Sequence, residues 1–208
     1  GVEKRGIFLD NQDYSVFMSY IKTYLLPKDV DFLRETLANP LSTSKQKSDS
    51  LRQLRLNNFC GNIKLLAYCL MTNHFHLLLK QTDQNGIDKF MNSLMTRYTM
   101  YFNKRYKRVG PLYQGNYKAV IVQSEEQLLH LSRYININPH SKGVAFQSYP
   151  HSSYLLYISD KHEDWLNSDE VMNYFSKRGY NSYSSFVGDV YTYDTYEIIA
   201  GLSLAEPE

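Results

Sequence analysis

The segment LLAYCLMTNHFHLLL, residues 65–79, is the most informative part of this chain. Alternate side chains of a strand face the same way, so an extended backbone points His74 and His76 to one face and Phe75 to the other. A tight turn at Thr72 and Asn73 would join two strands into a hairpin. Two imidazoles on one face form a clamp for a metal ion, but a bare His-x-His pair is also typical of strand histidines that are satisfied by hydrogen bonds. The neighbouring motifs therefore have to decide.

A second motif, residues 124–139, is predicted to be a helix. Ser124 is a capping residue, acidic residues follow it in the first turn, and Pro139 ends the helix. His130, Tyr134 and Asn138 recur every fourth residue and form one polar stripe. A phenol and a carboxamide one turn apart could supply a nucleophile and a third metal ligand to the same site. Taken alone, the tyrosine fits a packed aromatic better, and the asparagine fits a helix end before proline better.

Length and composition indicate one sizeable domain of a soluble protein. The chain has 208 residues and a net charge of +2, and it is long enough for a substantial core with a tail or small subdomain. No run of about 18 apolar residues could span a bilayer, and the first residues lack the apolar core of a signal peptide. The two cysteines, Cys60 and Cys69, are too few and too far apart for a structural zinc site and are expected to be free thiols. We therefore expect a cytoplasmic protein without a membrane partner.

The distribution of charge indicates a polyanionic partner. Residues 89–124 hold seven basic side chains and no acidic one, whereas residues 157–208 hold ten acids and three bases. Aromatic residues are interleaved with the basic ones, a mixture that suits a groove for a phosphate backbone and stacked bases. The alternative is a solvated helix face whose aromatics belong to the core. For the cluster from Lys104 to Arg108 we favour contact with DNA, because an uncompensated cluster repels itself unless it meets an anion.

The remaining pattern indicates an α+β fold. A first helix is predicted from Asn11 to Pro27, and a long helix is predicted from Phe90 through Phe102. Residues 39–50 are expected to be a mobile polar loop because they show no apolar period. A strand is predicted from Tyr117 to Val122, before the tyrosine helix. Strands and helices in this order suit an antiparallel sheet covered by helices.

Together the two motifs resemble the single-tyrosine HUH endonucleases, and among them the transposase-like family that includes the REP-associated tyrosine transposases. The resemblance runs from Gly1 to about Tyr157 and follows the family's landmarks in order: RGIF (5–8), AYCLMTNHFH (67–76), YFN (101–103), GPLYQG (110–115), RYININP (133–139) and SSY (152–154). It implies the HUH endonuclease fold, a ferredoxin-like (RRM-like) central antiparallel sheet flanked by helices. The chain then divides into a catalytic domain, residues 1–157, and an acidic extension with aromatic residues, residues 158–208.

The resemblance also implies a chemistry. In that family a histidine pair and a Gln or Asn hold a divalent ion while the helical tyrosine attacks a DNA phosphate. Those roles fall here on His74, His76 and Asn138 as ligands of Mg²⁺ or Mn²⁺, and on Tyr134 as the nucleophile. Attack would leave a 5′-phosphotyrosine and a free 3′-hydroxyl, and its reversal would join new strands. His130 is a candidate for orienting the phenol or taking its proton, with an ordinary core or surface histidine as the alternative.

The implied partner is single-stranded or hairpin DNA, because an exposed phosphate and splayed bases suit one nucleophile in an open site. The sequence does not decide between a monomer and a homodimer. The candidate contacts to nucleic acid are Arg97, Lys104, Arg105, Lys107, Arg108, Tyr113, Gln114 and Lys118.

Two other functions stay open at the level of sequence. One is a domesticated module that binds DNA or RNA hairpins and has lost cleavage. The other is a metal-dependent hydrolase in which the histidines activate water. That hydrolase would need a carboxylate near the pair, and the nearest candidates, Asp83 and Asp88, lie past the end of the strand.

The chain departs from the family pattern at both ends. Related sequences usually have an additional strand before the turn that here lies at Arg5 and Gly6, so a sheet edge is expected to be unpaired or filled by another chain. The acidic extension is expected to be a solubilising appendage, with shielding of the basic groove in the absence of DNA as the alternative.

Overall fold

A computed structural model describes residues 1–159, 161–178 and 182–188 as an α+β structure, the class expected from the sequence. The elements are, in chain order, α1 (Asn11–Leu25), α2 (Val30–Ala38), α3 (Ser44–Arg55), β1 (Ile63–Met71), β2 (His74–Gln81), α4 (Gly86–Arg105), α5 (Glu125–Ile137), α6 (Tyr154–Tyr157), α7 (Asp169–Arg178) and α8 (Tyr183–Gly188). Short 3₁₀ segments cover Val2–Lys4, Asn138–Lys142 and Phe146–Ser148. None of the helices described is both long enough and apolar enough to cross a membrane.

The two strands form the predicted antiparallel hairpin. Met71 pairs with His74 and Cys69 pairs with His76, so the turn consists of the two residues 72 and 73. Directly paired residues of an antiparallel sheet share a face, and the two histidines therefore lie on the same face. The predicted hairpin and the common orientation of the pair are confirmed.

Irregular chain, rather than a third strand, covers the outer edge of β1. The amide of Leu70 donates to the carbonyl of His151 at 2.8 Å, and the amide of Ser153 donates to the carbonyl of Tyr68 at 2.9 Å. These hydrogen bonds satisfy an edge that would otherwise be open to association. Within the described residues the sheet has two strands, so the larger ferredoxin-like sheet is not confirmed.

Helices cover both faces of the hairpin. On one face Phe75 packs against Phe17 of α1 with ring centroids 4.9 Å apart, and Phe17 packs edge-on against Tyr98 of α4 at 5.0 Å. The Tyr98 hydroxyl donates to the carbonyl of Ile7 at 2.6 Å, which ties the first residues to α4. Helix α5 lies over the other face, where the histidines are.

Two predicted segments are wrong. Residues 117–122 form no strand, because among the described residues no neighbouring strand is available to pair with this segment. Ile121 is 80% exposed as a result. Residues 39–50 are not one loop, because α3 begins at Ser44. Thr43 and Gln46 form a capping box there: the Gln46 amide donates to the Thr43 hydroxyl at 3.2 Å, and the Thr43 amide donates to the Gln46 side chain at 2.8 Å.

One fully buried carboxylate joins α1 to the end of α4. Asp13 accepts hydrogen bonds from the Leu9 amide at 2.8 Å, from the Tyr101 hydroxyl at 2.9 Å and from the Tyr106 hydroxyl at 2.8 Å. The Arg105 guanidinium lies 2.6 Å from the same carboxylate. A buried charge is tolerated only when its hydrogen-bonding capacity is filled in this way.

Replacing Asp13 with Ala should lower the free energy of unfolding by about 3 kcal/mol, because the Leu9 amide, two phenols and the partly exposed Arg105 guanidinium lose their shared buried acceptor. Urea unfolding followed by circular dichroism measures this. Asp10→Asn is the matched control: Asp10 also pairs with Arg105, but it lies at the solvent end of the pair, and asparagine still caps α1. A loss from Asp10→Asn as large as that from Asp13→Ala would contradict this account.

The described part of the extension packs on the hairpin. Trp165 lies against Tyr68 of β1 with ring centroids 5.7 Å apart. Glu170 of α7 bridges Lys64 and Lys80, at 2.7 Å and 2.6 Å, and these two lysines face each other across the strands. Residues 160, 179–181 and 189–208 lie outside the described residues, and with them lie six of the ten acids on which the shielding alternative depends.

The bridge at Glu170 should make stability depend on pH. Its hydrogen bonds to Lys64 and then to Lys80 hold the pKa of the Glu170 carboxyl below its usual range. A carboxyl with a lowered folded-state pKa stabilises the fold above its unfolded pKa of about 4.3 and loses that contribution as pH falls through the folded value. The stability difference between wild type and Glu170→Gln, measured by urea unfolding, should therefore shrink between pH 7 and pH 3.5. A difference that stayed constant over that range would exclude the bridge as a stabilising contact.

Candidate active site

The two histidines stand next to each other at the start of β2. Their ring centroids are 5.0 Å apart and their planes are perpendicular. Phe75 between them points into the aromatic layer formed with α1 and α4. The site face of the hairpin thus carries two imidazoles, and the core face carries the residue that anchors them.

His76 offers an unused nitrogen. Its Nε2 atom is buried and has no hydrogen-bond partner within the described residues. Burial, and to a lesser extent the neighbouring His74, lowers the pKa of His76 to about 4, so the ring is neutral at physiological pH. A buried polar atom without a partner requires an explanation, and a role as a metal ligand is one of the few that apply.

The side chain of Asn73 sets the tautomer of His74. Its Nδ2 lies 3.4 Å from the Lys4 carbonyl, and its Oδ1 lies 2.6 Å from His74 Nδ1. A carbonyl oxygen only accepts, so the amide nitrogen faces Lys4 and the amide oxygen faces the imidazole. That oxygen also only accepts, and His74 therefore carries a hydrogen on Nδ1. A neutral ring then has its lone pair on Nε2, the nitrogen that can coordinate a metal in this tautomer.

Helix α5 brings the tyrosine to the histidines. It begins after Ser124, whose hydroxyl accepts from the Gln127 amide at 3.1 Å, and the predicted helix is confirmed. The half-buried ring of Tyr134 meets His76 edge-on with centroids 5.8 Å apart. Asn138 follows directly after α5 with helical dihedral angles and is buried, so it lies one turn beyond the tyrosine on the same side.

His130 is engaged on the flank of this helix. Its Nδ1 lies 3.0 Å from a nitrogen of the Arg133 guanidinium, and its ring meets Phe186 of α8 at 5.8 Å. A guanidinium only donates, so Nδ1 accepts and a neutral His130 carries its hydrogen on Nε2. In that form the ring can donate a hydrogen bond to a phenolate rather than take the phenol's proton. The proton-relay role remains a prediction.

Imidazole nitrogens and an amide oxygen are the donor types that the site could offer to a divalent ion. Across residues 1–159, 161–178 and 182–188, no group of three or more His, Cys, Asp or Glu side chains could hold a metal. An ion at His74 and His76 would therefore take a further ligand of another type, such as the amide oxygen of Asn138, and keep positions open for substrate oxygens. Among the described residues, no carboxylate forms such a group with the two histidines.

The eight candidate contacts to nucleic acid fall into two groups. One group is exposed on and after the end of α4, and it comprises Lys104, Lys107, Gln114 and Lys118. Lys104 and Lys107 reach solvent at the end of α4, whereas Lys118 follows Tyr117, whose hydroxyl bonds to Asp88 at the start of the same helix. The exposed lysines of this group can neutralise the phosphates of a nucleic acid.

The other group is engaged in the fold. The Arg105 guanidinium binds Asp10 and Asp13, and the Arg97 guanidinium lies over the Tyr20 ring at 3.9 Å. The set is completed by Arg108, which donates to the Asn103 side chain at 3.0 Å, and by Tyr113, whose ring meets Phe75 and whose hydroxyl is buried.

Sequence reasoning did not single out Asn73 as a functional residue. The available signal was its position, directly before the histidine pair and within the turn. It also missed that Asp10 and Asp13 compensate Arg105, because these acids lie 95 and 92 residues away from it.

A family model described as "Transposase IS200 like" matches residues 46–138. The match runs from α3 through the hairpin and α4 to the end of the tyrosine helix, and it contains His74, His76, Tyr134 and Asn138. The helices α7 and α8 lie outside it. Among curated proteins and among solved structures, nothing matches the chain.

The orientation of Asn73 leads to a prediction about metal binding. In Asn73→Ala the Nδ1–H of His74 loses its acceptor, so the Nε2–H tautomer should rise and the affinity for Mn²⁺ should fall by about 10-fold or more. Imidazole ¹⁵N chemical shifts of the metal-free protein measure the tautomer, and calorimetric titration measures affinity. Asn73→Asp keeps an acceptor and should retain the Nδ1–H form. An unchanged tautomer in Asn73→Ala would show that the side chain does not control the ring.

Proposed function

Because the chain belongs, through residues 46–138, to the single-tyrosine HUH transposase family, we propose that it cleaves and rejoins single DNA strands at His74, His76 and Tyr134. Family membership makes the protein transposase-like and DNA its partner. The observation that carries the proposed cleavage is the meeting of the Tyr134 and His76 rings within one chain, with centroids 5.8 Å apart. The Nε2 atom of His76 lies there without a hydrogen-bond partner among the residues that the structure describes.

In the proposed reaction Tyr134 is the nucleophile. Its phenolic oxygen attacks the phosphorus of a phosphodiester, and the bond from phosphorus to the 3′ oxygen breaks. The phenol loses its proton, the departing 3′ oxygen gains one, and the 5′ phosphate stays on the tyrosine. Attack by another 3′-hydroxyl on this phosphotyrosine reverses the step and joins two strands. One bond of similar energy replaces another each time, so no ATP is needed.

The chain's own residues prepare the site for this reaction. His74, held by Asn73 as the Nδ1–H tautomer, and His76, kept neutral by burial, offer lone pairs on one face of the hairpin. Asn138 lies one turn after the nucleophile and can offer its amide oxygen. Mg²⁺ or Mn²⁺ bound by these groups would draw negative charge from the non-bridging oxygens of the scissile phosphate. Such hard ions keep open positions that substrate oxygens can fill.

We assign the DNA contacts first to the exposed group, Lys104, Lys107, Gln114 and Lys118. Arg97, Arg105, Arg108 and Tyr113 would have to give up contacts within the protein in order to bind a phosphate or base, and we keep them as secondary candidates. Single-stranded or hairpin DNA is the proposed substrate, because the half-buried phenol of Tyr134 needs a phosphate that can approach without a second strand. One chain holds the histidines and the tyrosine, so a monomer is sufficient for this chemistry.

A covalent-adduct assay tests the proposal. A labelled pool of hairpin oligonucleotides with randomised single-stranded flanks is incubated with the protein and either Mn²⁺ or EDTA, and covalent complexes are resolved on a denaturing gel. We expect a metal-dependent adduct from wild type and none from Tyr134→Phe, because phenylalanine has no oxygen to attack phosphorus. Tyr20→Phe is the control, since Tyr20 lies on α1 against Arg97 and should not affect the adduct.

Each other outcome has a defined meaning. An adduct that persists in Tyr134→Phe would assign the nucleophile to another of the 19 tyrosines. Binding of hairpins and metal without any adduct would favour the module that has lost cleavage. Strand cleavage without an adduct, in wild type and in Tyr134→Phe alike, would favour a hydrolase that uses water.

A further inference from the structure

A buried chain of hydrogen bonds links the hairpin to the tyrosine helix and to α8. The Tyr68 amide donates to the Ser153 hydroxyl at 3.0 Å, and that hydroxyl donates to the Asn136 amide oxygen at 2.7 Å. The Asn136 amide nitrogen donates to the Tyr183 hydroxyl at 2.9 Å, which donates to the Ser132 hydroxyl at 3.1 Å. The last hydroxyl donates to the carbonyl one turn earlier, at 2.8 Å.

The side chains in this chain are fully enclosed. Ser132, Asn136 and Ser153 are 0% exposed and Tyr183 is 1% exposed. The hydrogen bonds of this chain all run in one direction, from the donor on β1 to the final acceptor on the backbone of α5. Removing any member therefore leaves a buried donor or acceptor without its partner. The Tyr183 hydroxyl is the only member that comes from α8, and it closes the chain between two residues of α5.

The buried chain grips the side of α5 opposite the nucleophile. Ser132 and Asn136 lie two residues before and two residues after Tyr134, which places them about 160° around the helix from it. One side of the helix thus holds the phenol against His76, and the other side is bonded to α8 and to the chain along β1. A rotation or slide of α5 that moved the phenol would have to break these directional hydrogen bonds.

A second contact between α8 and α5 involves Arg133, the residue that precedes Tyr134 in the sequence. The buried guanidinium of Arg133 donates to the Phe186 carbonyl at 3.2 Å and lies over the Phe186 ring at 4.6 Å. Helix α8 therefore contacts α5 through both Tyr183 and Phe186, three residues apart on the same short helix.

We propose that Tyr183, in the extension outside the family-matched region, is a positioning residue that holds the tyrosine helix in register with the histidine pair. The extension is then part of the catalytic apparatus and not a solubilising appendage. The proposal rests on the proposed function of Tyr134, since it concerns the placement of that phenol. Tyr183 acts through α5, because its hydroxyl bonds to Asn136 and Ser132 on the side of that helix away from Tyr134.

The test compares Tyr183→Phe with Tyr157→Phe. Tyr157 is the matched control, because it is also buried and its ring packs against Tyr183 at a tilt, with centroids 4.6 Å apart. Its hydroxyl donates to the Leu66 carbonyl of β1 and not to any residue of α5 that the structure describes. Native-state hydrogen exchange of α5 and β2 is measured first. The rate of adduct formation and the affinity for a hairpin oligonucleotide are measured next, below the unfolding temperature of both variants.

In Tyr183→Phe we expect the amides of α5 to exchange at least about 10-fold faster, while those of β2 are unchanged. Adduct formation should slow at least about 10-fold, and the affinity for the hairpin should stay within about 3-fold of wild type. In Tyr157→Phe any loss of global stability should speed exchange in α5 and β2 alike, with no effect specific to α5, and the adduct rate should stay within about 2-fold of wild type. Wild-type α5 exchange in Tyr183→Phe, or equal effects of the two variants, would overturn the proposal. Hydrogen exchange does not depend on catalysis, so a failure of wild type to form any adduct would count against the proposed function alone.

Discussion

The register of the β1–β2 hairpin is the constraint on which the site depends. A strand has a period of two, so the pairing that packs Phe75 against Phe17 also sends His74 and His76 to the opposite face. A slip of one residue would press both imidazoles into the aromatic layer and turn Phe75 toward the site. The core under α1 therefore holds the histidines in place through the strand that carries them. The same register carries Asn73 into the turn, where its amide reaches His74.

Part of the basic charge of this protein is neutralised within the fold and is not available to a partner. In the sequence, residues 89–124 form a basic run without acids, which reads as a surface for a polyanion. In the structure α1 supplies the missing acids, because Asp10 and Asp13 neutralise Arg105 and the buried carboxylate also orders the end of α4. Lys104 and Lys107, on either side of that anchored arginine, remain exposed. A rigid helix end that presents two lysines loses less conformational entropy on binding a phosphate backbone than a mobile loop would.

What the sequence could predict was local. The hairpin follows from alternation and from the two-residue turn, and α5 follows from the Ser124 cap and the Pro139 stop. The start of α3 was equally readable, since Thr43 and Gln46 have capping-box spacing. The strand expected at residues 117–122 failed because β-propensity describes a segment, whereas a strand exists only with a neighbour that sequence does not specify.

The candidate site divides along the same line. That His74 and His76 share a face follows from the local period of a strand. The assignment of Tyr134 and Asn138 to the same site came from the resemblance to a family. Asn73 depends on the carbonyl of Lys4, 69 residues earlier, for the orientation of its amide. Tyr183 reaches Asn136 across 47 residues of chain. No periodicity encodes contacts of that kind, because each partner is an ordinary polar residue until the fold brings the two together.

The polar character of the contact between α5 and α8 has a physical reason. Apolar side chains could have buried the same area with less desolvation, and buried polar groups often contribute little net stability for that reason. Apolar packing, however, tolerates small rotations and slides of a helix, whereas a hydrogen bond weakens steeply when its angle changes. A helix that holds one phenol beside a pair of imidazoles must keep one fixed orientation about its own axis. The hydrogen bonds of Asn136 and Ser132 fix that orientation from the side of α5 opposite the phenol, so the face toward the histidines stays open.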